Sequence, residues 1–145
     1  DIPEKMTLLY DFYERYKDYP TLVDRWFGLQ ESNPNLDMEL LDRVVKHPAF
    51  DLKNPNRARA IVGAIGKNRY ALAKIGAPLY EWIAQEILTI DKMNSVTASR
   101  LVTPFTKVAR LPEPLQSEVM EIIHNMLKTP NISNNLFDQL KRIAP

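Results

Sequence analysis

The stretch HPAFDLKNPNRARAIVGAIG, residues 47–66, contains the end of one helix and the start of the next. The first helix is predicted to end at His47, because a residue that precedes proline is pushed out of the α region. Asn54 is a favoured N-cap residue, and Pro55 suits the first helical position behind it. After this start, apolar residues recur at helical spacing: Ala58, Ile61, Val62 and Ile65. The stretch therefore predicts two helices joined by a short loop.

The same combination of prolines and helical spacing runs through the rest of the chain, which has eleven prolines and four glycines. No segment keeps a two-residue alternation of apolar and polar residues between turn signals, so we expect no strands. The spacing predicts about eight helices. Their predicted bounds are 3–18, 21–31, 37–47, 55–66, 78–91, 95–110, 113–127 and 133–143.

Short links between these segments favour antiparallel helix pairs. Pairs recur about every thirty residues without a detectable sequence repeat, as in an irregular α-solenoid of the HEAT or armadillo type. A compact helical bundle has the same periodicity and stays open as an alternative. We predict an all-α fold in a single domain, residues 1–145, arranged as such a solenoid.

Composition narrows the class of protein. Hydrophobic residues make up 45% and charged residues 26%, which is typical of globular domains. The lack of cysteine excludes disulfides and thiolate metal sites. A net charge of +1 gives no overall field to recruit nucleic acid or a membrane surface, and no apolar run is long enough to span a bilayer.

The first residues, DIPEKMTLLYDFYERY, are acidic and amphipathic. They lack the basic start and the small-residue cleavage site of a signal peptide. Together with the lack of cysteine, this favours the cytoplasm and leaves the compartment open. Because the chain begins inside a helical pattern and without methionine, we also expect it to be a fragment of a longer polypeptide.

Helix propensity does not explain Arg57 and Arg59, since positive charge near a helix N-terminus opposes the helix dipole. One interpretation is that each arginine covers apolar surface with its stem and pairs with a carboxylate. The other is that basic groups beside a helix start attract an anion, such as a carboxylate. The residues alone leave both interpretations open.

A second basic face is predicted in helix 95–110, where Arg100, Thr103 and Lys107 lie opposite the apolar stripe. That stripe consists of Ala98, Leu101, Phe105 and Val108. A solvated surface without a ligand explains this face equally well. Pro104 lies inside the predicted helix and should kink it.

No catalytic pattern is present. His47 and His124 lie too far apart for a metal-ligand motif, and His124 is expected to be packed or at an interface. The chain has no glycine-rich phosphate loop and no nucleophile elbow. We therefore expect no catalytic activity and no metal cofactor in this chain alone.

Two other binding functions remain open. An autonomous helical-repeat scaffold that holds a partner peptide is favoured by aromatic residues near the N-terminus. These are Tyr10, Tyr13, Tyr16, Tyr19, Trp26 and Phe27. Such aromatic residues are more often part of the core, or here of the seam to the rest of the parent protein. A nucleic-acid module is suggested by basic residues at 53, 57, 59, 67 and 69, but the near-zero net charge argues against nucleic acid as a partner.

Residues 47–66 also resemble the HPxFxxxNPNRxRxLIGxFA signature near the C-terminus of zinc aminopeptidases of the aminopeptidase N type. Two further segments are similar to this family: YKDYPTLVDRWFGLQ, residues 16–30, and LTIDKMNSVTASRLVTPFTKVARL, residues 88–111. The resemblance covers nearly all of the chain. Departures occur at Ser95 and Val96, where the family has Pro-Gln, and at Leu72-Ala73 and residues 77–80, where it has Phe-His and a Gly-Ser-Gly-Tyr turn.

The resemblance implies a terminal helical domain that closes over a catalytic domain of the same polypeptide and walls a chamber for peptide substrates. Zinc and the His-Glu-x-x-His helix that binds it would belong to that other domain. Arg59 and Arg100 match family arginines that face the chamber, which makes them candidate substrate-binding residues. Arg57 and Lys107 are additional candidates. Val96 replaces a residue whose side-chain amide could contact substrate.

Overall fold

The computed structural model describes residues 2–145, with Ile2 described by its backbone only. All regular elements in this range are helices and none is a strand, which confirms the all-α prediction. The α-helices are α1 (Ile2–Tyr16), α2 (Pro20–Glu31), α3 (Met38–Val45), α4 (Pro55–Ala58), α5 (Ala64–Lys67), α6 (Arg69–Ile75), α7 (Ala77–Asp91), α8 (Ser95–Arg100), α9 (Leu115–Leu127) and α10 (Asn134–Ile143). A π-helical turn, Arg59–Gly63, joins α4 to α5, and 3₁₀ turns at Thr103–Phe105 and Val108–Arg110 follow α8.

Five of the ten α-helices that the structure describes begin at a side chain that caps free backbone N–H groups. Asp37 Oδ1 accepts from Leu40 N at 2.7 Å, and Asn94 Oδ1 accepts from Thr97 N at 2.9 Å. Asn54, Asn68 and Ser133 cap the starts of α4, α6 and α10 in the same way. These local signals explain why sequence patterns locate most of the helices.

The predicted helix 95–110 is wrong in its second half. The α-helix ends at Arg100, and two 3₁₀ turns replace the predicted kinked continuation. Pro104 has no N–H to offer the carbonyl of Arg100, and its ring clashes with that carbonyl in an α-helix. The Thr103 hydroxyl donates to the Arg100 carbonyl instead, at 3.3 Å, and the Thr106 hydroxyl donates to the Thr103 carbonyl at 2.8 Å.

Helix α6 was not predicted, because its seven residues fell within the link between two predicted helices. Asn68 caps its start and also donates through its side-chain amide to the carbonyls of Glu31 and Asn33, both at 2.8 Å. Gly76 ends it with a φ of 74°, a value that favours glycine. The single side chain of Asn68 thus joins α6 to the end of α2.

The core runs along the length of the chain through neighbouring elements. Helix α7 lies at its centre, against α6, α8 and α9, and α10 packs on α8 and α9. At the other end, α2 packs on α1 and on the π turn. The predicted stripe of Ala58, Ile61, Val62 and Ile65 is buried in full. Such contact between sequential neighbours is typical of a solenoid.

Helix α1 is held to the core mainly through Trp26. Its indole Nε1 donates to the Leu9 carbonyl at 2.7 Å, and its ring packs on Tyr13 with 5.1 Å between centroids. Much of the remaining apolar surface of α1 is exposed, including Leu8 and Tyr10. Among the described residues, no helix has both the length and the apolar character that a bilayer crossing requires.

Candidate functional site

The helix start at Asn54 forms as predicted. Asn54 Oδ1 accepts from Asn56 N at 2.9 Å and from Arg57 N at 3.3 Å, and Pro55 occupies the first turn. This double cap fixes the direction of α4 and of the arginines that follow.

Arg57 is buried against α2. Its guanidinium forms an ion pair with Asp24, donates to the Ala49 carbonyl, and lies 5.3 Å from the centroid of the Phe27 ring. Of the two interpretations of this arginine, pairing with a carboxylate is therefore the correct one for Arg57. Because the guanidinium is engaged inside the fold, we leave Arg57 out of the proposed substrate-facing residues.

His47 lies beside this ion pair in an aromatic cage. Its ring centroid is 4.5 Å from that of Tyr13, 4.8 Å from Trp26 and 5.6 Å from Phe27. Burial, together with the positive charge of Arg57, lowers the pKa of His47 below its usual value. Its Nδ1 accepts from Ala49 N at 3.1 Å, as a neutral imidazole can. His47 therefore closes the loop after α3 as a neutral packing residue.

Arg59 is exposed and opens the π turn. Its guanidinium donates to Asn56 Oδ1, one turn earlier. A π turn holds an extra residue within a helix, and such turns occur often at functional sites. The side chain is thus carried by a capped helix and presented to solvent.

Arg100 is the last residue of α8 and is also exposed. The segments that carry the two arginines pack side by side. A Cβ added to Gly63 would lie 3.6 Å from Leu101 Cδ2, and one added to Gly66 would lie 2.5 Å from Pro104 Cγ. The order of these contacts shows that the two segments run in the same direction, and each arginine lies on the N-terminal side of them.

A cleft of about 520 Å³ opens on the other side of this contact, between α5, α6 and the start of α7 on one wall and the 3₁₀ turns on the other. Its volume is within the range of about 300–1,000 Å³ usual for ligand sites. The residues that line it are Gly66, Lys67, Arg69, Leu72, Ala73, Tyr80, Thr103, Pro104, Thr106, Lys107, Arg110, Leu111, Pro112 and Leu115. We call it the basic cleft.

Four exposed cations surround the basic cleft, and no acidic residue lines it. Lys67 and Arg69 come from one wall, Lys107 and Arg110 from the other. Sequence reasoning selected only Lys107 as a site residue. Lys67 and Arg69 were noted as part of a basic segment, but about forty residues separate the two pairs, so only the fold brings them together.

The structure thus divides the four predicted site residues among three environments. Lys107 lines the basic cleft, Arg59 and Arg100 lie outside its lining, and Arg57 is buried. The departure Leu72-Ala73 also falls in the cleft lining. Val96 is exposed on α8. His124, expected to be packed or at an interface, is exposed on α9 and lines a shallow depression there.

Within residues 2–145, no group of three His, Cys, Asp or Glu side chains is placed to hold a metal ion. The arrangement offers guanidinium and ammonium donors, an apolar cleft and no nucleophile paired with a base. Chemically these donors are suited to bind anionic groups.

Glu31, at the end of α2, is a buried acid that sequence reasoning missed. The side chain is fully buried, and neither carboxylate oxygen has a hydrogen-bond partner among the described residues. Burial raises its pKa to about 8. The signal in the sequence is weak, because Glu31 and Gln30 read as polar residues of a helix end.

Comparison with known proteins assigns the whole chain to one family. Residues 1–145 match the family model described as "Domain of unknown function (DUF3458_C) ARM repeats". The armadillo-repeat description confirms the predicted solenoid and decides against the compact bundle.

Curated relatives include aminopeptidase N of Caulobacter vibrioides, 31% identical over 90% of this chain and 15% of that protein. Aminopeptidase N of Haemophilus influenzae is 26% identical over 93% of this chain and 16% of that protein. A crystal structure of Legionella pneumophila aminopeptidase A in complex with aspartic acid is similar over 99% of this chain and 17% of that chain, with a TM-score of 0.84 and 25% identity. The chain therefore spans about a sixth of the length of these relatives.

Proposed function

The chain belongs to the C-terminal armadillo-repeat domain family of the aminopeptidase N proteins, and from this premise we propose that it walls the substrate chamber of a zinc-dependent aminopeptidase. The enzyme would remove N-terminal amino acids from peptides. The observation that carries the proposal is the match over the whole chain to one terminal domain of such proteins.

Zinc chemistry would belong to a catalytic domain of the same polypeptide. The described residues offer no set of metal ligands, so none of them is assigned to the metal. Zinc, when bound in that domain, would activate water for attack on the peptide bond. This chain would contribute surface and charge.

Arg59 and Arg100 support a role in positioning the peptide. Both are exposed on helices whose packing is fixed by the Gly63–Leu101 and Gly66–Pro104 contacts. A peptide held by its N-terminus at the metal would place its C-terminal carboxylate toward the opposite wall. A guanidinium there would form charge-assisted hydrogen bonds, each worth about 1.5–3 kcal/mol.

The test uses the longer polypeptide that contains this domain. Arg100→Ala should lower kcat/KM for short peptides by about tenfold or more, because the loss of one such hydrogen bond corresponds to a factor of at least about ten. Chromogenic amides of single amino acids carry no C-terminal carboxylate and should lose much less. Arg142→Ala, at an exposed arginine of α10, is the matched control. Equal losses on both substrate classes would assign Arg100 to packing and refute its positioning role.

The exposed apolar face of α1 favours a second candidate, an autonomous scaffold for a partner protein or peptide. Met6 is 44% exposed and Tyr10 is 64% exposed, and residues four apart lie on one face of a helix. The two functions are separated by the reading frame upstream of Asp1. A His-Glu-x-x-His helix encoded there excludes the autonomous scaffold, and its absence excludes the aminopeptidase.

A further inference from the structure

The basic cleft combines two features that a merely solvated surface does not need. Its floor is apolar and includes Pro104, Leu111 and Leu115, which the fold leaves partly uncovered between two walls. Its rim carries four cations. An apolar floor favours a ligand with carbon-rich groups, and the rim favours negative charge.

The four cations have no ion-pair partner in the described part of the chain. The ion pairs found there join Lys17 to Glu14, Arg43 to Glu39, Lys46 to Asp42 and Arg57 to Asp24. Glu113 is the nearest acid in sequence to Arg110, and its carboxylate accepts from the Ser117 N–H and hydroxyl. Gathering like charges is unfavourable, so an anionic ligand would relieve their mutual repulsion.

Spacing of the cations distinguishes among anions. Two cations lie on each wall of an elongated cleft, whereas a single phosphate is usually held by converging backbone N–H groups of a glycine-rich turn. The chain lacks both such a turn and the overall positive field expected of a nucleic-acid surface. A ligand with several separated carboxylates and apolar groups between them fits both walls and floor.

We propose that the basic cleft binds an extended acidic peptide. Its carboxylates would pair with Lys67 and Arg69 on one wall and with Lys107 and Arg110 on the other. An apolar side chain between them would pack against Pro104 and Leu111.

If the domain walls a peptide chamber, the cleft would favour substrates with acidic residues distant from the N-terminus. That consequence rests on the proposed function, whereas binding by the cleft itself does not. Arg59 and Arg100 lie outside the cleft lining, so the two sets of residues can be tested separately.

The experiment measures binding of this chain to a peptide in which glutamates alternate with leucines, labelled with a neutral fluorophore, by fluorescence anisotropy. The matched peptide has glutamine in place of glutamate. We expect saturable binding of the acidic peptide only, weakening as salt rises from about 50 mM to about 500 mM. Lys107→Glu/Arg110→Glu should raise Kd by at least about tenfold, equivalent to 1.4 kcal/mol.

Two further variants make the result decisive. Lys67→Ala/Arg69→Ala removes charge from the opposite wall and should also weaken binding, and circular dichroism verifies that each variant is folded. Lys141→Glu/Arg142→Glu on α10 changes the net charge by the same amount as Lys107→Glu/Arg110→Glu. It lies outside the cleft and should leave Kd within about twofold.

Equal binding of both peptides, equal weakening by the α10 variant, or no binding at all would overturn the cleft proposal. Arg59→Ala/Arg100→Ala should not affect the acidic peptide. Loss of activity on short peptides in the Arg100→Ala enzyme, together with failure of the cleft to bind, would leave the chamber function standing alone. Binding by the cleft, together with unchanged activity of the Arg100→Ala enzyme on short peptides, would support the cleft proposal and not the positioning role.

Discussion

Gly66 and Pro104 approach so closely that a Cβ atom on Gly66 would lie 2.5 Å from Pro104 Cγ and 3.3 Å from Cδ. The proline that ends the α-helical part of residues 95–110 therefore packs against the one position of α5 without a side chain. The pyrrolidine ring is rigid and cannot rotate away from an added methyl group. This contact joins the two walls of the basic cleft, and both residues line it.

Gly66→Ala should destabilise the chain by about 1–3 kcal/mol, because an extra methyl group must displace the ring or the backbone. Gly63→Ala is a matched control one turn earlier, where the added Cβ would make an ordinary contact of 3.6 Å with Leu101. That control should be neutral or stabilising, by up to about 1 kcal/mol, since alanine favours helix. Urea unfolding measures the free energy of unfolding of both variants. Equal values for the two would contradict the close contact between Gly66 and Pro104.

Arg57→Ala should cost about 3–5 kcal/mol, the usual effect of removing one partner of a buried ion pair. The side chains of Arg57 and Asp24 are only 9% and 17% exposed. Arg59→Ala, two residues further on and exposed, should change stability by less than about 0.5 kcal/mol. In a double-mutant cycle with Asp24→Ala, the double variant should lose less stability than the two single variants lose together. Strict additivity would show that Arg57 and Asp24 do not interact.

Glu31 should make stability depend on pH. Its folded pKa of about 8 exceeds the ordinary value of 4.5, so between these values the unfolded chain releases a proton that the folded chain keeps. Stability contributed by this group is fully present below pH 4.5 and falls with rising pH by up to about 1.4 kcal/mol per pH unit, levelling off above pH 8.

Glu31→Gln removes this titration and should make the chain more stable than the parent at pH 8, with a much smaller difference at pH 5. Glu118→Gln, at an exposed position of α9, is the control and should follow the parent at both values. Chemical denaturation at the two pH values provides the comparison. A Glu31→Gln variant with the same pH profile as the parent would show that Glu31 is ionised and solvated in the folded chain.

A structural feature can be predicted from the sequence when the residues that determine it are neighbours along the chain. Asn54 and Pro55 act on the helix that begins beside them, and the predicted start is correct. Whether Pro104 kinks a helix or ends it depends on Thr103 and Thr106, whose hydroxyls donate to backbone carbonyls there. It also depends on Gly66, which lies in another segment. Spacing along one helix cannot show such a contact.

The candidate site follows the same rule. Arg59 and Arg100 could be selected because local motifs carry them, and the structure shows both exposed on rigid elements. The pairing of Arg57 with Asp24 and the grouping of Lys67 with Lys107 each join residues more than thirty positions apart. The sequence does not show whether an arginine belongs to a buried ion pair or to a cationic rim, because the acid that would pair with it can lie far away along the chain.

The bond from Trp26 to the Leu9 carbonyl gives the chain an optical reporter of one end of the solenoid. Release of α1 would expose the indole to water and part it from Tyr13, which shifts its emission toward the red. The other tryptophan, Trp82, lies on α7 and would not sense the event. In a Trp82→Phe background, fluorescence would therefore record the docking of α1 separately from the unfolding of the rest, and a single shared transition by fluorescence and circular dichroism would show that α1 and the core unfold as one unit.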